Sequence, residues 1–414
     1  GTKRYVWLGP SGSVSSGSDY ISGSISHNQF IAAGTGSGFN GIITQQWSAN
    51  LTIGGNKFSG MVGQRNVLLW HPTATTVVEN NEFSRSDDGT GFSNSDLLYL
   101  GGPAPGVGTS GAVVRNNKFS SPGKGLVIYA YSGTGISVKD NDFGGVSGVK
   151  IELQAPVTAG TLINASSNWW GSTVESTISS GISLATNGAA DFSPYLNLGT
   201  DTAPSTVGFQ PDYSGVWVTT LGSQAGSVNR VQEGVNLVNA GGTVYLNTGD
   251  YGSTSATTTK NNLTIDVPAG ALNFTGLVLD TGATTATLTG AGAANLTGNT
   301  ANNTLTGNDG ANTLSGSDGN DTLTGGLGND TITGGAGIDT AIFSGKYADY
   351  TILGSTVSGP NGTDTVTEVE VLKFDDTVIV SGTSAADSFV VQKNGTNREV
   401  LINGNVAVTL PLSS

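Results

Sequence analysis

Glycine and aspartate recur at fixed positions in the last third of the chain, in a pattern that could bind a metal ion. Large apolar residues lie nine apart, at Leu296, Leu305, Leu314, Leu323 and Ile332. The segments that follow them read GNTANNT, GNDGANT, GSDGNDT, GGLGNDT and GGAGIDT. Glycine permits tight, partly left-handed turns that bring backbone carbonyls close to an ion. Aspartate adds a carboxylate, and Ca²⁺ takes about six to eight oxygen ligands, so the spacing predicts calcium-binding loops.

This pattern resembles the RTX (repeats-in-toxin) proteins, whose consensus is G-G-x-G-x-D-x-U-x, with U a large apolar residue. The segment GGLGNDTIT at Gly325–Thr333 matches the consensus in full. The resemblance implies a parallel β-roll in which two nonapeptides make one turn. An ion then lies between loops that are eighteen residues apart, such as those ending at Asp321 and Asp339. The simpler interpretation, that Asp and Gly are good turn formers, would explain one or two copies but not five in register.

The resemblance implies three possible ion sites. The first pairs the loop Gly316–Asp321 with the loop Gly334–Asp339, and its ligands would be Asp321, Asp339 and the carbonyls of Gly316, Asp318, Gly335 and Gly337. The second pairs Gly307–Asn312 with Gly325–Asp330, and its residues would be Asp330, Asn312, Gly307, Asp309, Gly326 and Gly328. The third would use Asn303 with Asp321. Asparagine at positions 303 and 312 removes charge, so we expect the second and third sites to be weaker or empty.

A second repeat, Asn-x-aromatic after an apolar alternation, runs through the first half of the chain. Because successive strand residues face opposite sides, the Asn and the aromatic share one face. Stacked coils would align the asparagines in an internal ladder, Asn28, Asn56, Asn81, Asn117, Asn141 and Asn168. Asn both donates and accepts hydrogen bonds, so such a ladder satisfies its own amides. The residues between alternate in charge from Lys57 to Asp142, which predicts ion pairs between neighbouring coils.

The repeat resembles right-handed parallel β-helix proteins over about residues 5–200. NWWGS at Asn168–Ser172 and DFSPYL at Asp191–Leu196 are similar to the terminal coil of β-helix modules in bacterial surface proteins. The predicted class is therefore all-β: a right-handed parallel β-helix, then a short second β-helix running into an RTX parallel β-roll and a C-terminal β region.

Shifts in composition along the sequence indicate the domain boundaries. Residues 1–200 would form the β-helix, and the Pro- and Gly-containing residues 201–227 a linker. Residues 228–292 would form the short β-helix, opened by a capping helix with Val228, Val231, Val235 and Val238 on one face. Residues 293–341 would form the calcium-binding roll, and residues 342–414 the region that closes it and carries a secretion signal.

Composition also limits the partners. Charged residues make up only 11% of the chain and the formal net charge is −14, so nucleic acid is not expected. No apolar run approaches the length of a membrane span, and there is no cysteine. Proteins with RTX repeats usually leave Gram-negative cells by type I secretion, so the resemblance implies an extracellular or cell-surface location with Ca²⁺ as the cofactor.

Three functions remain open. β-Helices host polysaccharide lyases and epimerases, so we considered His71, Arg85, Asp87, Asp88, Asp96 and Arg115 as catalytic residues. They form no motif that we recognise, and a fold does not imply an activity. Trp7, Trp47 and Trp70 could bind sugar rings but are more often packing residues, and His27 fits an ordinary surface position. We therefore expect a non-catalytic surface-layer, filament or matrix protein. The alternatives are a carbohydrate-binding adhesin and a polysaccharide-active enzyme.

Self-association is expected on the same reasoning. The strand Tyr5–Leu8 begins the first coil without a helix like that at Val228–Val238. An uncovered coil edge exposes backbone groups that can pair with another chain. An alternative is that a longer polypeptide supplies the cover upstream.

Overall fold

The computed structural model describes residues 3–8, 20–31, 39–44, 47–59, 65–85, 96–101, 111–129, 134–155, 157, 159–225, 227–382, 388–394 and 397–411. The chain divides into two compact units. The first comprises residues 1–217 and 221–227, and the second comprises residues 218–220 and 228–414. Almost all the regular structure is β-strand, and the helices in the described part are too short and polar to span a bilayer.

The first unit is a stack of parallel coils that form three sheets, which confirms the predicted β-helix. Sheet A contains, in order, Lys3–Leu8, Phe39–Thr44, Val67–Trp70, Asp96–Gly101, Lys124–Tyr129, Ile151–Gln154 and Ile182–Leu184. Sheet B contains Tyr20–Ser26, Trp47–Gly54, Val77–Glu79, Ala112–Arg115, Thr134–Lys139, Thr161–Asn164 and Gly188–Asp191. Sheet C contains Gln29–Ile31, Lys57–Ser59, Glu82–Ser84, Lys118–Ser121 and Asp142–Val146.

The asparagine ladder runs along the corner between sheets B and C. Asn56, Asn81, Asn117, Asn141 and Asn168 have no exposed surface, whereas Asn28 is exposed. Asn81 donates from its backbone N and from Nδ2 to Oδ1 of Asn117, at 3.0 and 2.9 Å. The same pair of bonds links Asn117 to Asn141, at 3.0 Å each. Each buried amide therefore has both donors and acceptors satisfied by the stack itself.

An aromatic ladder follows the asparagines one coil at a time. Phe30, Phe58, Phe83, Phe119, Phe143 and Trp170 stack with ring centroids 4.7, 5.1, 5.0, 4.8 and 5.4 Å apart. On the outer face, Lys57 Nζ lies 3.0 Å from Glu82 Oε2. Lys118 is in register with both Glu82 and Asp142, as the charge alternation predicts. Asp142, however, is buried, because Trp169 of the next coil pairs beside it.

Residues 201–217 differ from the expected linker because they pack back on the first unit. Phe209 is fully buried, and its backbone N donates to Asn116 O at 2.8 Å. Tyr213 Oη donates to Asp140 Oδ1 at 2.7 Å. The short strand Gly215–Val218 pairs antiparallel with Tyr195–Leu196. Before it, the helix Glu175–Ser180 buries Ile178. Residues 201–217 therefore cover outer positions at the corners of the β-helix rather than spanning a gap between domains.

The second unit opens with the expected helix, Arg230–Leu237, which buries Val231 and Val235. Asn229 caps it by accepting from Gln232 N at 2.9 Å. At the other end, Lys260 Nζ donates to the carbonyls of Val235 and Asn236 at 2.6 and 2.8 Å. A cation at a helix C-terminus satisfies carbonyls that have no partner within the helix.

Two facing sheets then run without a break through the short β-helix, the roll and part of the C-terminal region. Sheet D contains Thr243–Leu246, Leu263–Asp266, Thr285–Thr289, Thr304–Thr306, Thr322–Thr324, Thr340–Ile342, Val371–Lys373 and Val378–Val380. Sheet E contains Gly249–Thr258, Ala271–Leu279, Asn295–Thr297, Thr313–Asp318, Thr331–Ala336, Gly362–Thr367, Thr356–Gly359 and Thr351–Leu353. Strands Phe389–Asn394, Asn397–Ile402 and Asn405–Pro411 form a separate antiparallel sheet.

The β-helix should lose stability when one rung of either ladder is removed. Asn117→Ala removes the acceptor of the backbone N of Asn81, whose Nδ2 keeps the carbonyls of Ile53 and Glu79. It should lower the free energy of unfolding by about 1–3 kcal/mol. Phe119→Ala opens a cavity in the aromatic stack and should cost about 3–5 kcal/mol. Denaturant unfolding followed by tryptophan fluorescence measures this, because every Trp of the chain lies within the first unit. Lys118→Ala, on the exposed position between them, is the control and should change stability by no more than about 0.5 kcal/mol.

Candidate metal centre

The Gly- and Asp-containing loops of the nonapeptides connect sheets D and E and stack along two edges of the roll. One edge carries Asn303, Asp321 and Asp339, and the other carries Asn312 and Asp330. All of these side chains are buried, with exposed fractions of 0 to 3%. The parallel register of the strands, Leu314 with Ile332 for example, places each loop directly over the next.

One oxygen of each aspartate is used in a hydrogen-bonded ladder. Asn303 N donates to Asp321 Oδ1 at 2.7 Å, and Asp321 N donates to Asp339 Oδ1 at 2.7 Å. On the other edge, Asn312 N donates to Asp330 Oδ1 at 2.8 Å. Each carboxylate thus holds the loop one turn earlier in place, which fixes the vertical spacing of the loops.

The second oxygen of each of these aspartates has no partner within the described structure. Oδ2 of Asp321, Asp330 and Asp339 is buried without a hydrogen bond. Leaving a buried carboxylate oxygen unpaired is costly. An ionised carboxylate accepts but does not donate, so a neighbouring acceptor cannot serve as its partner, whereas a cation can.

The glycines at the first loop position leave the space in which these oxygens lie. A Cβ added at Gly316, Gly325 or Gly334 would fall directly against Oδ2 of Asp321, Asp330 or Asp339, respectively. At Gly316 the same Cβ would also lie 2.5 Å from the carbonyl oxygen of Gly334 in the next loop. Carboxylate and carbonyl oxygens therefore converge at a point that only glycine leaves open, as a hard cation requires.

The direction of the carbonyls differs from the ligand set that the resemblance implied. The carbonyl oxygen of Gly316 lies against Gly298 and so faces the preceding turn, not the loop Gly334–Asp339. The carbonyls of Ser317 and Gly319 instead face that loop, against Gly335 and Gly337. The carbonyls at loop positions two and four of one turn therefore point towards the next turn, whereas the carbonyl at position one points towards the preceding turn.

The asparagine positions are satisfied without a cation. Oδ1 of Asn303 accepts from Asn299 N at 2.8 Å, and Oδ1 of Asn312 accepts from Asn308 N at 2.8 Å. Nδ2 of Asn312 donates to the carbonyl of Ala294 at 2.8 Å. The side-chain amide of Asn312 thus hydrogen-bonds a backbone carbonyl oxygen at the N-terminal end of the roll, its upper end. This arrangement favours the expectation that these positions hold a cation less well. The side chains of Asp309 and Asp318 are exposed, so those residues could contribute through their backbone.

Two acidic residues beyond the repeats continue the ladders, and the sequence analysis missed both. Asp330 N donates to Asp364 Oδ1 at 2.8 Å, and Asp339 N donates to Glu370 Oε2 at 2.8 Å. A signal for Asp364 exists in the segment GPNGTDTVT at Gly359–Thr367, which keeps the first and third consensus glycines, the Asp and the apolar position, and has Pro360 at the second glycine. Glu370 follows a shortened loop that keeps no consensus glycine, so no pattern marks it.

Burial makes these carboxyl groups hard to ionise in the absence of a cation. Burial, together with the charges of Asp321, Glu370 and Glu368, raises the pKa of Asp339 to about 7. Burial likewise raises the pKa of Asp330 to about 6, with a contribution from Asp364. The pKa values of Asp321 and Asp364 are also raised, mainly by burial.

The family model of the RTX calcium-binding nonapeptide repeat matches residues 288–317 and 306–341, in four copies. Residues 288–341 are therefore RTX calcium-binding nonapeptide repeats. RTX repeats bind calcium generally and are typical of secreted proteins of Gram-negative bacteria. No curated protein and no solved structure matches the chain. The matched region ends before Asp364 and Glu370, so the two added rungs lie outside the recognised RTX repeats.

The RTX loops are not conventional clusters of acidic ligands. Within the described ranges, no group of three or more His, Asp or Glu side chains is placed to hold a metal ion. A cation in the RTX roll would therefore depend on backbone carbonyls for most of its ligands. The glycines and the direction of the carbonyl groups are thus as important for binding the cation as the aspartates.

Among the considered catalytic residues that the structure describes, Asp96, Arg115 and Arg85 lie at three different sheets. Asp96, in sheet A, is buried and accepts from Arg65 Nε at 2.7 Å, and Arg65 lies 3.8 Å above the Tyr99 ring. Arg115, at the end of a sheet B strand, pairs with Glu79 at 2.7 Å. Arg85 follows a sheet C strand and is buried.

His71, His27 and Trp70 belong to the described part of the chain. His71 and His27 have left-handed backbone angles, with φ of 47° and 60°. His27 is exposed, and Trp70 is half-buried. Asp87 and Asp88 lie outside the described residues, as do the side chains of Trp7 and Trp47.

The pKa shifts predict opposite pH dependence with and without calcium. A carboxyl whose folded pKa is raised stabilises the fold at low pH, and that contribution is lost as pH rises through the folded pKa. In chelator, the melting temperature of the roll should therefore fall as pH rises from about 5 to 8, through the values near 6 and 7 for Asp330 and Asp339. With excess Ca²⁺ the ionised form is bound, so the fall should disappear or reverse. Thermal melts followed by circular dichroism measure both, and a metal-free roll that gains stability towards pH 8 would contradict the prediction.

Proposed function

We propose that calcium completes the folding of the RTX roll after the protein has been exported, and that the folded protein has a structural role outside the cell. The observation that carries the proposal is the set of buried Oδ2 atoms of Asp321, Asp330 and Asp339, which have no partner. In a compartment poor in Ca²⁺ these carboxylates oppose folding of the roll. Binding energy outside the cell then becomes folding energy, and an incompletely folded chain suits export.

The strongest site in this proposal lies between the loops Gly316–Asp321 and Gly334–Asp339. It combines the carboxylates of Asp321 and Asp339 with the carbonyls of Ser317, Gly319 and Gly334. Gly316, Asp318, Gly335 and Gly337 then shape the loops, since Gly335 and Gly337 adopt φ of 114° and 145°. Asn303 and Asn312 are proposed to substitute an amide for the cation at the upper end.

Replacing Asp339 by Asn distinguishes two effects of its carboxylate: the loss of stability that it causes in the metal-free roll, and the binding of calcium. Asp339→Asn keeps the size and the acceptor for Asp321 N but removes the charge. We expect the metal-free roll to melt at a higher temperature and the calcium-induced stabilisation to shrink, by about 2.7 kcal/mol for a site studied at Ca²⁺ one hundred times its Kd. Melts in chelator and in Ca²⁺, with calcium titration calorimetry, measure both effects.

Two matched variants control this experiment. Asp318→Asn removes the same charge from an exposed side chain of the upper loop, whose effect on Asp321 is only a minor one. It should change both melts much less than Asp339→Asn does. Asn312→Ala should affect calcium binding less than Asp339→Ala, because it removes no charged ligand. If a strong chelator changes neither the circular dichroism nor the melting temperature of the unaltered protein, the proposal is wrong.

The structural role is proposed to include self-association into a filament, array or matrix. A stack of coils that contact only their neighbours forms a stiff rod. The antiparallel sheet near the C-terminus supplies an interaction edge, because its first strand exposes Phe389, Val390 and Val391 by 51, 44 and 68%. An exposed apolar edge strand favours pairing with another chain.

Light scattering over a range of protein concentrations, with millimolar Ca²⁺, tests the assembly. The unaltered protein should form larger species as its concentration rises, and Val391→Lys should reduce them by placing a charge on the edge strand. Leu198→Lys, at a residue that is 47% exposed and lies outside any strand, is the control. A protein that stays monomeric under these conditions has no assembly role of this kind.

A further inference from the structure

The loop that precedes Asp364 repeats the pattern of the calcium-binding loops, although it lies beyond the matched repeats. The segment Gly359–Thr367 reads GPNGTDTVT, with glycine at the first and fourth positions, aspartate at the sixth and an apolar residue at the eighth. Residues 343–358 separate it from the roll in sequence. Its strand nevertheless pairs parallel with Thr331–Ala336, with Ile332 opposite Val366. This nonapeptide is therefore separated from the others in sequence, but its strand occupies the next position in the stack.

This loop makes the same contacts with the loop Gly325–Asp330 that the recognised loops make with one another. Thr363 N donates to Asn329 Oδ1 at 2.8 Å, just as Ile338 N donates to Asn320 Oδ1 at 2.9 Å. Asp364 Oδ1 accepts from the backbone N of Asp330, as Asp339 Oδ1 does from that of Asp321.

The backbones of the two loops also meet in the same way. Gly328 N donates to Asn361 O at 2.8 Å, and the carbonyl oxygen of Gly328 lies against Gly362. Gly319 N likewise donates to Ala336 O at 2.8 Å, and the carbonyl of Gly319 lies against Gly337. The two loop pairs thus share these side-chain and backbone hydrogen bonds, and they differ at Gly359, where an added Cβ would meet the Tyr350 ring instead of the aspartate.

Oxygen atoms converge between these loops around a space that could hold an ion. Asp330 is only 2% exposed, and its Oδ2 has no hydrogen-bond partner. That oxygen lies against Gly325, which lines a cavity of about 220 Å³ together with Asn361, Asp364 and Asp309. The recognised loop on the other side of Asp330 ends in Asn312, whose Oδ1 already accepts a hydrogen bond. The second carboxylate near Asp330 comes from Asp364.

We propose that Asp330 and Asp364, with the carbonyl of Gly328, bind a divalent cation of the calcium type and so fasten the segment 343–380 to the end of the roll. This inference rests on the proposed calcium function of the roll. The fastened segment carries the strand Val371–Lys373, which extends sheet D, and the aromatic cluster of Phe343, Tyr350 and Phe374, with ring centroids 5.0 to 5.8 Å apart. Calcium therefore controls the order of the segment that closes the roll, and not only that of the repeats.

The full-length chain, stripped of metal and titrated with CaCl₂, tests the inference by two measurements. Calorimetry counts the bound calcium equivalents, and hydrogen exchange with mass spectrometry reports protection of backbone amides along the chain. In the unaltered protein, Ca²⁺ should protect both the repeats and residues 343–380. Asp364→Asn keeps the acceptor for Asp330 N, so the chain should fold. It should lose one calcium equivalent and the protection of residues 343–380, while the loops Gly316–Asp321 and Gly334–Asp339 remain protected.

Three further variants complete the design. Asp349→Asn, an exposed aspartate of the same segment, should bind and protect like the unaltered chain. Asp330→Asn should remove the same equivalent as Asp364→Asn, and the double variant should lose no more than either single one. Asp321→Asn should weaken the recognised site and leave residues 343–380 protected by Ca²⁺.

The outcomes separate the two proposals. If Asp364→Asn binds as many calcium equivalents as the unaltered chain and protects residues 343–380 equally, this inference is overturned while the calcium function of the repeats stands. If Ca²⁺ neither binds nor protects the repeats in the unaltered chain, the proposed function fails and this inference fails with it.

Discussion

In a stack of parallel coils, the coil above or below supplies the partners of a buried ladder of polar side chains, and both units of this protein are organised by that constraint. In the first unit the buried residue is asparagine, which accepts at Oδ1 and donates from Nδ2, so that Asn81, Asn117 and Asn141 satisfy one another. In the roll the equivalent residue is aspartate, which accepts one backbone hydrogen bond and keeps a second oxygen without a donor. The same ladder is thus self-sufficient with an amide and requires a cation with a carboxylate.

This difference produces a gradient of buried negative charge along the second unit. The upper end of the roll carries Asn303 and Asn312, whose oxygens accept from backbone amides of their own loops. The middle carries Asp321, Asp330 and Asp339, and the lower end adds Asp364 and Glu370. Negative charge therefore accumulates towards the C-terminal end. The upper coils can be stable without metal and can provide a template, whereas the lower coils place carboxylates close together in a dry environment and depend on a counter-ion.

The interior of the β-helix and the interior of the roll are packed in different ways. In the first unit, the stacked rings from Phe30 to Trp170 fill the interior beside the asparagine ladder. In the roll, loop backbones approach so closely that a Cβ at Gly316 or Gly335 would meet the next turn. A wide coil needs large apolar side chains to fill it. A narrow roll has room only for one leucine or isoleucine per nonapeptide, so its stability relies more on the loops.

The local repeats alone determined the class of the fold and identified Asp321, Asp330 and Asp339, whose second carboxylate oxygens are buried without a partner. The Asn-x-aromatic motif places its residues on one face by the period of a strand, and the nonapeptide places Asp and Gly by the geometry of a tight turn; both are properties of a few consecutive residues. Only the tertiary structure decided that residues 201–217 pack on the first unit, that Gly316 O faces the preceding turn, and that Asp96, Arg85 and Arg115 lie on different sheets. It also decided that Asp364 joins Asp330 across residues 343–358. These features depend on which strands become neighbours, and loops of variable length hide that register from any local pattern.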